Sequence, residues 1–161
     1  NVTRHDDAAL PLRASGVRQS QQAYTETGWE VFPDGLTAVL LWVHERYGDR
    51  SGPLYVTENG AAFYDPPKPL NGIVSDPLRV HYYREHLQAA YNAIQRGVDL
   101  RGYFAWSLLD NFEWSDGYSK RFGLIHVDYE TQRRTPKASA HFYAEVIRTR
   151  GEALAQSSVT P

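Results

Sequence analysis

Two strand-forming runs separated by one long helix constrain the fold of this chain more than any other feature. The first, Leu54-Tyr55-Val56-Thr57, stops at Glu58, and Asn59-Gly60 turns the chain at once. The second is "LRGYFAWSLL", residues 100–109. Between them lie a Pro- and Gly-rich loop, "YDPPKPLNGIVS", and a helix over "DPLRVHYYREHLQAAYNAIQRG". In that helix Asp76 suits the N-cap, Pro77 the first turn and Gly97 the stop, while Tyr83, Leu87, Ala90, Tyr91 and Ile94 share one apolar face. An earlier helix is expected over "VFPDGLTAVLLWVHERYG", with Leu36, Val39, Leu40, Val43 and Tyr47 inward, and a final one over "KASAHFYAEVIRT". "LIHVDY" reads as a short strand.

The order helix, strand, helix, strand, helix predicts an α/β fold with a parallel sheet. Two main strands cannot protect both edges of such a sheet. At about 30 residues or more per βα unit, 161 residues hold two to three units, so the sequence predicts a fragment of a larger domain. Residues 1–27 are polar, aperiodic and rich in Ser, Gln, Thr and Asp, and read as a long surface loop. Asn1-Val2-Thr3 matches a glycosylation sequon.

Bulk properties exclude several functions. The net charge of -2 gives no basis for nucleic-acid binding, and no run approaches the roughly 20 apolar residues of a membrane span. There is no cysteine, and the six histidines have no metal-ligand spacing, so no metal is expected. Phosphate-loop, dinucleotide and nucleophile-elbow motifs are absent, so no cofactor is expected. A cytoplasmic location is the default expectation.

Aromatic residues make up 13% of the chain and cluster in one loop, "DNFEWSDGYSKRFG". With Trp106 just ahead of it, the loop's Phe112, Trp114, Tyr118 and Phe122 surround Glu113. A carboxylate accepts two hydrogen bonds in a fork, which suits neighbouring hydroxyls, and aromatic faces pack on the apolar face of a sugar ring. The same residues would also serve as an aromatic hinge with a solvated acid. Glu58, likewise, is either a solvated carboxylate beside a turn or one held at the rim of a barrel.

Longer motifs carry a resemblance. "VTENG" (56–60), followed by "GYFAWSLLDNFEWSDGYSKRFGLIHVDYETQRRTPKASAHFYAEVI", resembles glycoside hydrolase family 1, the β-glucosidase family. "TGWEVFPDGL" (27–36) resembles the stretch before that family's sixth helix, so the likeness runs from about Gly28 to Val146.

The resemblance implies that residues 28–161 are the last units of a (β/α)8 TIM barrel. Glu58 would end strand seven and "GYFAWS" would form strand eight, both at the C-terminal face. It implies a retaining β-glycosidase with Glu58 as nucleophile and Trp106 as the platform under the glycone. Glu113 would bind the 4- and 6-hydroxyls, Trp114 the 3-hydroxyl, and Phe122 would close the pocket near the 6-position. Family members acting on 6-phosphorylated sugars generally carry Ser at the position of Glu113, so the substrate expected is a neutral β-glucoside. One departure matters. The family's acid/base glutamate, in an Asn-Glu-Pro segment, and the tyrosine that bonds the nucleophile, in an Asn-Tyr-Tyr segment, do not occur in this sequence. The N-terminal two-thirds of the enzyme is therefore the expected partner. The alternative is a non-catalytic sugar-binding or receptor-like relative.

Overall fold

The computed structural model describes residues 2–5, 14–50, 52–66 and 69–155. Among the described residues ten strands and α-helices follow in chain order. β1 (Val2–His5) and β2 (Ala14–Val17) pair antiparallel. Helix α1 (Pro33–Tyr47) leads to β3 (Leu54–Asn59), helix α2 (Pro77–Gln95) and β4 (Leu100–Ala105). β5 (Ile125–Val127) and β6 (Arg134–Pro136) form an antiparallel ribbon, and α3 (Ala138–Arg148) and α4 (Glu152–Ala155) follow. β3 and β4 are parallel, with α2 as the crossover, as the alternating pattern predicts.

Several expectations need correction. Residues 1–27 are not one continuous loop, because they contain the β1–β2 ribbon. That ribbon rests on backbone pairing and has no apolar alternation to announce it. Asn1 of the sequon lies outside the described residues. The second main strand stops at Ala105, short of residue 109, and β6 was not anticipated at all.

The helix faces are also rotated from those expected. In α1, Leu40 and Leu41 are buried while Val39 and Tyr47 are exposed. In α2, Tyr82, Tyr83, His86, Ala89, Ala90 and Ala93 turn inward, and Tyr91 and Ile94 are exposed. The seam is set by what the helix packs against. Its C-terminal half meets Leu40, Leu41 and Val98 through Ala93, with Leu54, Val56 and Leu100 of the strands alongside. Its N-terminal half meets Ala61, Phe63 and Leu124 through Tyr82 and Tyr83. Each large apolar side chain buried in this way contributes about 1.5–3 kcal/mol.

Asp76 stands at the N-cap position of α2, but its side chain makes no cap hydrogen bond to that helix. Its carboxylate instead accepts from Arg79 Nη1 at 2.6 Å and from the Ser139 backbone N–H at 2.9 Å. Arg79 is fully buried. Its guanidinium also donates to Asp65 Oδ1 at 2.9 Å, and to the carbonyls of Ala61, Phe63 and Arg121 at 3.2, 3.2 and 2.8 Å. A planar fork of five donors suits this task, and lysine could not reproduce it.

β3 alternates as a strand with one covered face should. Leu54 and Val56 face the helices, whereas Tyr55 and Thr57 are exposed on the other side. Phe104 of β4 is exposed as well, and the Tyr55 ring lies over Gly102. Among the described residues no helix is long and apolar enough to cross a membrane.

Candidate active site

The ends of β3 and β4 lie together, and the loop that follows β4 folds over them. Trp106 N–H donates to the Asn59 carbonyl at 2.9 Å, and the Trp106 carbonyl accepts from Tyr83 Oη at 3.2 Å. Gly60 fits against this carbonyl only because it has no side chain: a Cβ there would sit 1.7 Å from Trp106 O. The Asn59 side chain is held from the helix side, its Oδ1 accepting from Tyr103 Oη at 2.5 Å. The pairing of β3 with β4 is irregular between Val56 and Asn59, which breaks the strict alternation of the strand just before its end, so Asn59 is anchored inward while Glu58 is exposed.

Glu58 opens onto a cavity of about 530 Å³. All five residues singled out in the sequence line it: Glu58, Trp106, Glu113, Trp114 and Phe122. Phe122 is buried and forms part of the wall, whereas Trp114 is 85% exposed at the mouth. Trp114 starts a short 3-10 turn over Trp114–Asp116, with φ of 46°. Bulky residues avoid that left-handed region, at a cost on the order of 1–3 kcal/mol. The turn is closed by Glu113 N–H donating to the Gly117 carbonyl at 2.8 Å, and by Gly117 N–H donating to the Trp114 carbonyl at 3.2 Å.

Glu113 is the buried acid of the group. Trp106 Nε1–H donates to its Oε2 at 3.4 Å, and its Oε1 is buried without a hydrogen-bond partner. Burial raises its pKa, and the Trp106 and Asn111 hydrogen bonds oppose the rise. An acceptor oriented in a cavity wall and lacking a donor is a natural anchor for a ligand hydroxyl.

The structure adds wall residues that sequence reasoning did not assign. Thr27 and Trp29 come from the segment before α1, and the Trp29 ring meets Phe122 at a centroid distance of 5.8 Å. Tyr82 of α2 lies behind Asn59, and burial pushes its phenol up to about 12, against the pull of a hydrogen bond with Asn59. Its ring stacks on buried His86 at 3.9 Å. Trp29 was visible only as part of a motif. Tyr82 was hidden because helical periodicity gives a face but not what that face meets. Three carboxylates, Glu58, Glu113 and Asp116, line the cavity and no basic side chain does so among the described residues. Such a wall disfavours an anionic ligand such as a phosphorylated sugar. Among the described residues no group of three or more His, Asp or Glu side chains is arranged to hold a metal ion.

Comparison with known proteins places this geometry. Residues 4–152 match the sequence profile of Glycosyl hydrolase family 1. The chain is 47% identical to a 1,4-beta-D-glucan glucohydrolase of Thermotoga neapolitana and 49% identical to Beta-glucosidase A of Thermotoga maritima. Each match covers 90% of this chain and 32% of the relative. The solved family 1 β-glucosidase from Thermotoga maritima superposes with a TM-score of 0.86 at 45% identity, over 92% of this chain and 32% of that one. The chain thus spans about a third of the length of these relatives, and its fold is the corresponding part of a (β/α)8 barrel. The uncovered face bearing Tyr55 and Phe104 is a barrel interior face.

Proposed function

The chain belongs to glycosyl hydrolase family 1, and on that premise we propose that it supplies the nucleophile and the glycone wall of a retaining β-glucosidase. One observation carries the reading. The exposed strand-end carboxylate of Glu58 shares a cavity with three indoles and a buried acid whose Oε1 lacks a donor.

In the reaction proposed, a Glu58 carboxylate oxygen bonds the anomeric carbon while the bond to the aglycone oxygen breaks. The departing oxygen takes a proton from a general acid on the remainder of the barrel, about 5 Å from Glu58 in a retaining site. Water then hydrolyses the glycosyl ester, deprotonated by the same group, and Glu58 is released as a carboxylate. Trp106 lies beneath the glycone and donates its indole N–H to Glu113. Glu113 accepts from the 4- and 6-hydroxyls, Trp114 reaches the 3-hydroxyl, and Phe122 with Trp29 closes the 6-position. The acidic lining favours a neutral sugar over a 6-phosphorylated one. Relatives solved in complex with glucoimidazole and deoxynojirimycin support a glycone-binding role for this cavity.

The test uses the barrel completed with its N-terminal two-thirds. A 2-deoxy-2-fluoro glucoside should label Glu58, seen as a mass increment on its peptide, and Glu58→Gln should abolish both labelling and turnover. Azide should restore cleavage of an activated glucoside by Glu58→Gly, with inverted anomeric configuration. Near-normal turnover by Glu58→Gln refutes the assignment. Glucoside binding without any turnover by the unaltered barrel favours the non-catalytic sugar-binding alternative.

A further inference from the structure

We propose that Asp110 is a positioning residue for the glycone wall, closing the neck of the loop that carries Glu113 and Phe122 and tying it to the chain just beyond Glu58. This rests on the role given to Glu113 above, and it concerns residues outside the cavity wall.

The geometry at the neck is specific. Asp110 is buried, and its two oxygens accept four donors, about all that a carboxylate can take. Oδ1 accepts from Gly123 N–H and Lys137 Nζ, both at 2.9 Å. Oδ2 accepts from Arg121 Nη1 at 2.7 Å and Val127 N–H at 3.3 Å. The first residue of the aromatic loop thus holds residues 121 and 123, on either side of Phe122. Gly123 is pressed so close that a Cβ would meet Asp110 N at 2.2 Å.

The other end of the network reaches the nucleophile segment. Lys137 is fully buried and bonds Asp65 at 2.5 Å as well as Asp110. Asp65 in turn holds Arg79, which donates to the Ala61 and Phe63 carbonyls, three and five residues beyond Glu58. Arg79 also donates to the Arg121 carbonyl, so it touches both sides directly. Three carboxylates, Asp65, Asp76 and Asp110, balance Arg79, Lys137 and Arg121.

Stability alone is a poor reason for such a cluster, since desolvation largely cancels the attraction of buried charges. Its value lies in geometry. Oriented charged hydrogen bonds permit few arrangements, where an apolar core would tolerate several. Here the arrangement they permit sets where Glu113 stands relative to Glu58.

The experiment again uses the completed barrel and compares 4-nitrophenyl β-glucoside with its 4-deoxy analogue, which lacks one hydroxyl that Glu113 would read. Asp110→Asn should lower kcat/KM on the glucoside by about 10–100-fold, the scale of an ångström-sized misplacement. In a Glu113→Ala background the same change should cost less than about threefold, and on the 4-deoxy analogue, which keeps the 6-hydroxyl contact, it should cost less than on the glucoside, because Asp110 acts through Glu113. Arg121→Met is the second variant, because Arg121 stands at the edge of the network with its side chain 24% exposed. It should show the same selectivity at smaller amplitude, with Arg121→Lys restoring part of it. If Asp110→Asn does not fold, Arg121→Met decides the matter. Equal losses on both substrates, additivity with Glu113→Ala, or folded variants with undiminished rates overturn the proposal. A Glu113→Ala variant that fails to distinguish the two glucosides refutes the role of Glu113 itself, and the positioning role with it.

Discussion

Replacing Gly60 with alanine tests the closest backbone approach at the site. The new Cβ would lie 1.7 Å from the Trp106 carbonyl oxygen, 2.8 Å from its carbon and 3.2 Å from Tyr83 Oη. Real Cβ contacts are essentially never under 3.0 Å, so the two segments must separate by at least about 1.3 Å. A backbone carbonyl cannot swing aside as a flexible side chain would. Trp106 is bonded to Asn59 through its N–H and to Tyr83 through its carbonyl, so both bonds must stretch or break. Overpacking of this kind costs about 1–3 kcal/mol of stability. The functional cost should be larger in proportion, because Gly60 follows Glu58 by two residues and Trp106 is the proposed glycone platform. A displacement near 1 Å at reacting groups costs about 10²-fold in rate. In the completed barrel, Gly60→Ala should therefore lower the melting temperature measurably and reduce kcat on an aryl β-glucoside about 10²-fold. A folded variant with unchanged melting temperature and kcat within about threefold of the parent would show that the strand ends do not position the chemistry.

Three further outcomes follow from the same structure. Glu113→Ser should weaken transition-state binding of a neutral glucoside by about 2–3 kcal/mol while penalising a 6-phosphoglucoside far less, and equal losses in kcat/KM would remove Glu113 from the 4- and 6-positions. Burial raises the Glu113 pKa above its ordinary 4.5, so the folded state holds that proton more tightly than the unfolded one and loses stability as pH rises through this interval. Glu113→Gln should accordingly melt at nearly the parent temperature in acid and above it at neutral pH, and a gap independent of pH contradicts the assignment. Residues 1–161 alone, with Tyr55, Phe104, Val39, Trp42 and Tyr91 exposed, should associate in sedimentation and hydrolyse no aryl glucoside, whereas co-expression with the N-terminal two-thirds should give a soluble, active complex. A monomeric, active lone chain would contradict the division of labour proposed here.

The sequence by itself determined the elements whose causes are local. Pro77 at a first helical turn, the alternation of Leu54 to Thr57 ahead of an Asn-Gly turn, and the density of aromatics from Phe104 to Phe122 each specify local structure within a few residues. The resemblance to glycoside hydrolase family 1 then pointed to Glu58, Trp106, Glu113, Trp114 and Phe122, and all five line one cavity. The tertiary structure decided what depends on partners distant along the chain. Asp76 reads as a cap because capping is a short-range habit, yet it bonds Ser139, 63 positions away. Nothing local marks Lys137 and Arg79 as interior residues, yet both are fully buried, because Asp65, Asp76 and Asp110 converge on them from three separate segments. The inward face of α2 runs through Tyr82, His86 and Ala93 instead of Tyr91 and Ile94, since periodicity gives the width of an apolar stripe but not the direction of the core. A hydrogen bond or ion pair across 60 residues leaves no periodic trace in sequence, and only the folded chain brings its two ends together.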